Sequence, residues 1–260
     1  MNDDWTQLPP WLHWLERCDS TNIWAIDHAA QLQPGDVIFT QQQTAGRGQQ
    51  GRPWYAPAGV LTASFILDQI PVSQLPGLSL AAGLAVIYAI ADLIPIGQDS
   101  LMLKWPNDVV CDRRKLAGIL CEATSGSVSA RVVVGIGLNR CVDFAEAGLE
   151  TSQIGDPISL DQITSAVPDQ LALLERLRHY LLQVADLFIR SGNSSENSGL
   201  TPLLPELQRR DALRDRTVTL DLPNQSITGQ AVGIDAIGRL QIRTPDGQVQ
   251  AFSSGRVGWA

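Results

Sequence analysis

The sequence predicts an α+β protein with a large domain over residues 1–210 and a small β-barrel over residues 211–260. Two patterns predict this division. Before residue 211 long apolar runs alternate with helical segments. After it come short alternating segments separated by tight turns, TVTLDL, ITGQAVGID, GRLQIRT and VQAFSSGRV. With 260 residues, 44% of them hydrophobic, the chain can bury a core without disulfide bonds.

Apolar runs rich in β-branched residues predict the strands of the large domain. They are VIFTQQQ from Val37, GVLTASFIL from Gly59, LMLKW from Leu101, KLAGILCEA from Lys115 and ARVVVGIGLN from Ala130. The first two flank a glycine-rich segment at residues 44–57, TAGRGQQGRPWYAP, which therefore connects two strands. The last run is open to two interpretations, an exposed strand that supports dimerisation or a strand buried in the sheet.

Helices are predicted at three places. Alanines and apolar residues support a helix from Leu78 to Leu93, and polar interruptions in this stretch suit a buried helix better than a membrane span. A second helical pattern covers about residues 159–190, and a short helix runs from Leu203 to Arg210. The segment SGNSSENSG at residues 191–199 is polar and small, so a mobile loop of unassigned role is expected there.

Charge and cysteine usage limit the function classes. The net charge of −8 and the pI of about 4.8 disfavour general attraction to nucleic acid or anionic lipid. The four cysteines and three histidines show no spacing typical of a metal site, and the acidic start MNDDWTQLPP is unlike a signal peptide. We therefore expect a cytoplasmic protein with free thiols, without a nucleic-acid partner and without membrane association.

The segment GRGQQGR at residues 46–52 has the composition of a loop that surrounds a phosphate group. Glycines let the backbone approach a ligand, and Arg47 and Arg52 carry planar charged groups that suit phosphate or carboxylate oxygens. A flexible surface turn with solvated arginines explains the same residues equally well. Trp54 could cover a purine ring or pack in the core.

Polar residues also occur in the segment LKWPNDVV, where Asn107 and Asp108 lie in the connection that follows the predicted strand LMLKW. Lys104 must emerge at a polar cleft or find a partner, because burying an unpaired ammonium is costly. Asp108 could bind magnesium or orient an attacking amine, although Asn107 and Asp108 could also simply build a turn. Lys115 opens the next strand, in which Gly118 leaves space for a ligand.

Five motifs together resemble those of the biotin protein ligase family. They are STN at 20–22, QTAGRGQQGRPW at 43–54, KWPND at 104–108, KLAGIL at 115–120 and GIGLN at 135–139. The segments GIDAIGRLQI and FSSGRV also resemble the small C-terminal barrel of these ligases. The resemblance implies a mixed β-sheet catalytic domain flanked by helices. Since about eighteen residues precede the DSTN motif, we expect the monofunctional type without a DNA-binding domain.

The resemblance implies a two-step ligase reaction. Biotin and ATP form biotinyl-5′-AMP with release of pyrophosphate, and biotin then passes to a lysine of the biotin carboxyl carrier protein of acetyl-CoA carboxylase. The expected ligands are biotin and ATP with Mg²⁺, and the protein could be a monomer or a homodimer. Because the carboxylate of biotin attacks the α-phosphorus, the enzyme needs to supply positioning and positive charge, not a nucleophile.

The resemblance also implies roles for individual residues. The expected catalytic residues are Lys115, Arg47, Lys104 and Asp108, and Asp108 is the expected Mg²⁺ ligand. Biotin binding is expected from Ser20, Thr21, Asn22, Gln43, Arg47, Gly48, Gln49, Lys115 and Gly118. Nucleotide binding is expected from Arg52, Trp54, Asn107, Asp108, Gly135, Gly137 and Asn139. Many relatives carry arginine where this chain has Gln49, so weaker retention of the adenylate is expected.

Two alternatives stay open at this point. A lipoate protein ligase has a related fold and analogous adenylating chemistry, but GRGQQGRPW and KWPND together match the biotin branch better. A ligand-sensing or nucleic-acid-binding module without catalysis is the alternative from another class, and the acidic composition disfavours it.

Overall fold

The computed structural model describes residues 8–95, 97, 100–124, 126–148, 156–191 and 199–259. The start of the chain and most of the predicted loop at 191–199 lie outside these residues. The helices are α1 Thr21–Asp27, α2 Leu75–Leu93, α3 Gln170–Ser191 and α4 Leu204–Arg209. The strands of the large domain are β1 Leu12–Cys18, β2 Val37–Gln43, β3 Gly46–Arg47, β4 Pro53–Trp54, β5 Val60–Pro71, β6 Leu101–Lys104, β7 Asp108–Cys111, β8 Arg114–Ala123 and β9 Ser129–Asn139. The later strands are β10 Thr217–Leu222, β11 Gln225–Ile234, β12 Leu240–Arg243, β13 Val249–Phe252 and β14 Arg256–Trp259.

Seven strands form the large sheet in the order β1-β2-β5-β9-β8-β7-β6. Strands β1 and β2 are parallel, and the other neighbouring pairs are antiparallel, so the predicted mixed sheet is confirmed. Strand β9 is hydrogen-bonded to β5 on one side and to β8 on the other. Val132, Val133 and Val134 on it are fully buried. The buried interpretation of ARVVVGIGLN is therefore confirmed, and the exposed interpretation is wrong.

The two faces of this sheet carry different side chains because successive residues of a strand point to opposite faces. On one face, residues such as Leu61 and Val134 join the main core, where β5 contacts α3 and β8 contacts α2. On the other face, Ile66 packs in a small cluster beside α1. Further along that face β5 carries the hydroxyl of Ser64, and β9 carries Gly135. The lack of bulky side chains there leaves room for a cleft.

Helix α2 is a core helix. By length and composition the segment Val72–Leu93 could cross a membrane, but 72% of its apolar window is buried inside the protein. It packs against α3 and against the sheet. The prediction of a buried helix is confirmed.

Three element predictions need correction. Helix α3 begins at Gln170 and not near residue 159, because Pro168 disfavours helical backbone in the residue before it. The sequence predicts a connection where strand β7 lies, because this strand has only four residues and begins with a turn-forming aspartate. The run VQAFSSGRV contains two strands, β13 and β14, separated by a turn in which Gly255 has φ +145°.

The C-terminal unit is a five-stranded antiparallel sheet in the order β13-β12-β11-β10-β14. The predicted β-rich C-terminal unit is confirmed, although among the described residues the pairing stops at β13 and β14 and does not close into a barrel. The division at residue 211 stays a prediction.

The C-terminal unit is attached directly beside strand β6. The Leu103 amide donates to the Arg210 carbonyl at 2.7 Å, and the Ala212 amide donates back to the Leu103 carbonyl at 2.8 Å. The Trp105 indole donates to the Gly238 carbonyl at 3.0 Å. These bonds place β14 close to the end of β6, where Lys104 lies.

Asp211 is a buried carboxyl group at this junction. One carboxyl oxygen accepts a hydrogen bond from the Leu213 amide at 2.9 Å, and the other is buried without a hydrogen-bond partner among the described residues. Burial raises the pKa of Asp211 from 3.8 to about 6. The ionised form, which predominates at neutral pH, is therefore disfavoured in the folded state.

We predict that Asp211→Asn stabilises the protein in a pH-dependent way. The wild-type carboxyl favours folding fully below pH 3.8, and this contribution is lost as the pH rises through about 6. An uncharged amide has no such dependence. The variant should therefore gain about 2 to 3 kcal/mol relative to wild type between pH 4 and pH 8.

Urea unfolding of both proteins at pH 4 and pH 8 measures this difference. Asp215→Asn, at an exposed neighbouring residue, is the control and should be nearly neutral. An Asp211→Asn effect of equal size at both pH values would contradict the prediction.

Candidate active site

A cleft of about 630 Å³ opens on the α1 side of the large sheet. Every residue that the sequence nominated for the site lines this one cleft: Ser20, Thr21, Asn22, Gln43, Arg47, Gly48, Gln49, Arg52, Trp54, Lys104, Asn107, Asp108, Lys115, Gly118, Gly135, Gly137 and Asn139. The motifs come from five separate parts of the chain, so the fold brings them together.

An ion pair occupies the floor of the cleft. Lys115 near the start of β8 places its Nζ 2.7 Å from Oδ1 of Asp108, the first residue of β7. The same ammonium lies 5.2 Å from the ring centroid of Trp54, within reach of a cation–π interaction. Both side chains keep some exposure, 30% for Lys115 and 22% for Asp108. The pair is therefore open to a ligand that enters the cleft.

Lys104 lies beside this pair at the end of β6, directly across from Asp108 in the β6–β7 register. Burial lowers the pKa of Lys104; Asp108 opposes the shift, and Lys115 and other nearby cations add to it. Its Nζ also lies 5.3 Å from the ring centroid of Trp259 on β14. A desolvated ammonium among other cations is stabilised when an anion arrives, as a phosphate group would do.

The predicted biotin-binding residues form an uncharged polar pocket around the start of α1. Ser20 is the N-cap of this helix. The Thr21 amide donates to Oε1 of Gln43 at 2.9 Å. The buried Ser64 hydroxyl lies 2.7 Å from Thr21 Oγ1 and 2.5 Å from Asn22 Oδ1. The pocket therefore offers hydroxyl and amide groups that are already oriented by one another.

The glycine-rich segment is a small hairpin that lies over the cleft. Strands β3 and β4 pair with each other, and a short 3-10 turn at Gln49–Gly51 joins them. The Gly48 amide donates to the Arg52 carbonyl at 2.7 Å, and Gln50 adopts a left-handed φ of 57°. Arg47 on this hairpin forms an ion pair with Glu122 at 2.8 Å. Arg47 therefore has a carboxylate partner within the protein.

Two glycines of the GIGLN motif make room for side chains of the protein itself. A Cβ atom at Gly135 would overlap the Asn22 amide, and one at Gly137 would overlap the Trp54 indole. Gly118, the cross-strand partner of Gly137, would bring a Cβ to within 3.0 Å of the same indole. Trp54 thus lies flat on a glycine pair. The side chains of Asn22 and Trp54 thus occupy the space beside these glycines, and contact of a ligand with the glycine backbone stays a prediction.

Two asparagines at the site hold the backbone in place. The Asn139 amide donates to the carbonyls of Lys115 and Ile158, both at 3.1 Å. The Asn107 amide donates to the Ile119 carbonyl at 2.6 Å. Their amide nitrogens position the strand that carries Lys115. The nucleotide contact expected of both asparagines from sequence stays a prediction beside this supporting role.

The structure adds residues that sequence reasoning missed. Ser64 could have been found as a polar residue within an apolar strand, and Glu122 as the only acidic residue of β8. Arg256 and Trp259 line the cleft from the C-terminal sheet, and Arg113 lies 5.0 Å from the Trp259 ring. No local signal points to Arg256 and Trp259, because they reach the cleft only through the packing of the two units. Arg113, in contrast, lies in the basic run Arg113-Arg114-Lys115 of the large domain itself.

Comparison with known proteins relates both units of the chain to one family. Residues 14–139 match the model of the Biotin/lipoate A/B protein ligase family, and residues 215–257 match that of the Biotin protein ligase C terminal domain. The biotin–[acetyl-CoA-carboxylase] ligase of Mycobacterium tuberculosis is 34% identical over 227 residues, which cover 86% of this chain and 78% of that protein. The corresponding ligase of Paracoccus denitrificans is 32% identical over 243 residues, 90% of this chain and 95% of that protein.

A solved structure extends the similarity to the fold. The biotin protein ligase from Aquifex aeolicus in complex with biotin and ATP superposes with a TM-score of 0.77 at 26% identity. The match covers 96% of this chain and 98% of that chain. Sequence motifs, fold and relatives agree, and the chain belongs to the biotin protein ligase family.

Proposed function

We propose that this protein is an ATP-dependent biotin protein ligase that forms biotinyl-5′-AMP and transfers biotin to a lysine of a biotin carboxyl carrier protein. One observation carries the proposal. In a single cleft, Lys104 and Lys115 meet Asp108 directly beside the uncharged polar pocket at the start of α1. This combination suits a neutral polar ring at one end and a charged phosphate reaction at the other.

The uncharged pocket fits the ureido ring of biotin, which has two N–H donors and one carbonyl acceptor. Hydroxyl groups can both donate and accept, and the Gln43 amide can do the same. Ser20, Thr21 and Gln43 would therefore bind the ring, with Asn22 shaping the pocket. A charged pocket would cost more to desolvate without gaining a partner on biotin.

The cationic end of the cleft suits adenylation. The biotin carboxylate attacks the α-phosphorus of ATP, a new C(O)O–P bond forms, and pyrophosphate leaves with the electrons of the broken P–O bond. Lys115 would hold the carboxylate and the α-phosphate together, while Lys104 and Arg52 would neutralise the other phosphates. Trp54 would pack against the adenine ring.

Magnesium fits this arrangement as a partner of ATP. Mg²⁺ is commonly held by one or two carboxylates together with substrate phosphates. Asp108 lies among the cleft cations and would supply such a carboxylate. When bound, Mg²⁺ would neutralise phosphate charge.

Transfer needs an uncharged amine from the carrier. That amine attacks the acyl carbon, a C–N bond forms, and AMP leaves as the acyl C–O bond breaks. The proton of the amine must pass to a base or to water, and Asp108 is suited to orient the amine or accept that proton. We place this reaction in the cytoplasm, since all four cysteines are free thiols.

We predict that Lys115→Ala abolishes biotin transfer at the first step. Loss of a charge that acts on the transition state typically lowers the rate by about 100- to 1,000-fold. The measurement follows the mass of an apo carrier domain incubated with protein, Mg-ATP and biotin, and in parallel the release of pyrophosphate without carrier. Arg176→Ala, at an exposed cation on α3, is the control and should retain wild-type rates.

Each outcome of this experiment decides between functions. A biotin-sized mass gain that disappears in Lys115→Ala supports the proposal. A gain with lipoate but not with biotin would identify a lipoate ligase. Binding of biotin with no pyrophosphate release by wild type would indicate a ligand-sensing module, and a fully active Lys115→Ala would remove Lys115 from the mechanism.

We predict that Lys104→Arg changes the alkaline pH dependence of ATP use. Because the pKa of Lys104 is lowered, its deprotonation on raising the pH has a midpoint below pH 10.5, whereas an arginine stays charged. The KM of wild type for ATP should therefore rise with a midpoint below pH 10.5, and the variant should show a smaller rise. The KM for biotin over the same pH range is the control. If the KM for ATP rises identically with pH in the two proteins, Lys104 is excluded as the titrating group.

We predict that Gln49→Arg slows the release of biotinyl-5′-AMP. The added guanidinium would contact the phosphate or carboxylate from the hairpin turn and slow release by roughly three- to tenfold. Release is measured by trapping labelled adenylate after dilution into unlabelled biotin and ATP. Gln50→Arg adds the same charge at the neighbouring exposed position and is the control. An unchanged release rate in Gln49→Arg counts against a role of residue 49 in retention.

A further inference from the structure

Glu122 connects two parts of the cleft that are far apart in the sequence. Its Oε1 pairs with Arg47 on the glycine-rich hairpin at 2.8 Å, and its Oε2 accepts from the Asn22 amide on α1 at 2.8 Å. Each oxygen thus serves a different element. The Glu122 side chain is 26% exposed and that of Arg47 is 42% exposed, so the contact lies at the rim of the cleft.

All the hydrogen-bonding groups of the Asn22 side chain are in use, and one of its partners is Glu122, so a change at Glu122 affects Asn22. One amide hydrogen goes to Glu122 and the other to the Leu120 carbonyl at 3.2 Å. Its amide oxygen lies 2.5 Å from Ser64 Oγ. The side chain is only 4% exposed and lies over Gly135, where a Cβ atom would overlap it. Buried amides whose donors and acceptor are all used are costly to disturb.

The hairpin, in contrast, is held loosely. Its strands β3 and β4 have two residues each and pair only with one another. Among the described residues two side chains link it to strand β8, Arg47 through its ion pair with Glu122 and Trp54 through its ring, which lies over Gly118 near Lys115. Few hydrogen bonds and high exposure are typical of segments that open and close.

We propose that Glu122 is a positioning residue that couples the closure of the glycine-rich hairpin to occupation of the biotin pocket. A ligand that contacts Asn22 or Thr21 in the cleft adds to the hydrogen-bond chain that ends at Glu122. Glu122 then holds Arg47 and keeps the hairpin over the ligand. This inference rests on the proposed function, because the pocket ligand is taken to be biotin.

The test uses Glu122→Gln, which keeps an amide oxygen for Asn22 but loses the charge that pairs with Arg47. We expect the KM for biotin to rise roughly three- to tenfold with kcat and the KM for ATP nearly unchanged, since a partly exposed ion pair contributes modestly to binding. Amide hydrogen exchange of residues 44–53 should also lose most of its biotin-dependent protection. Glu175→Gln, at an exposed residue on α3, is the control.

A double variant separates coupling from general damage. Arg47→Gln removes the other end of the same ion pair together with the direct contacts expected of Arg47, so adding Glu122→Gln to Arg47→Gln should raise the KM for biotin no further than Arg47→Gln alone. Additive effects, or biotin-dependent protection of the hairpin that persists in Glu122→Gln, would overturn the inference while carrier biotinylation by wild type still supports the function. If wild type neither biotinylates the carrier nor protects the hairpin with biotin, the proposed function itself fails.

Discussion

The cleft depends on one constraint, which is that successive side chains of strands β5 and β9 point to opposite faces of the sheet. On one face these strands present large apolar side chains that join the same core as α2 and α3. On the other face they present Ser64, Gly135 and Gly137. A register slip of one residue would move the apolar set into the cleft and the small residues into the core. Pairing on both sides of β9 makes such a slip costly, because ten cross-strand partners to β5 would change at once. The same hydrogen bonds that build the core therefore build the site.

The electrostatics of the cleft oppose those of the whole molecule. The chain carries a net charge of −8, yet Lys104, Lys115 and Arg52 converge around Asp108. Burial, and after it the neighbouring cations, lower the pKa of Lys104, so its charged form is costly without an anion. An acidic surface around a cationic cleft limits nonspecific attraction to nucleic acid while leaving one place where a polyphosphate is favoured. The distribution of charge thus favours a polyphosphate ligand over nucleic acid, and it also serves the reaction.

Much of the fold and of the site could be predicted from sequence, and the failures have physical causes. Motifs with glycine, arginine and lysine at fixed spacing located the residues that line the cleft, since backbone approach and fixed charge require those residue types. The sequence could not show that Asn22 and Trp54 fill the space over Gly135 and Gly137, because that depends on contacts between distant strands. For the same reason Arg256 and Trp259 escaped notice. Strand β7 was missed because four residues carry too little periodicity.

The placement of lysine has a consequence for chemical self-damage. Lys104 and Lys115 are the chain's two lysines, and all its other basic side chains among the 19 lysines and arginines are arginine. A mixed anhydride such as biotinyl-5′-AMP acylates free amines, whereas guanidinium groups stay protonated and unreactive at neutral pH. Both lysines lie in the cleft, one paired with a carboxylate and one largely desolvated. The outer surface of the described chain therefore offers no side-chain amine to the reactive product, and acylation is directed to the amines of other proteins.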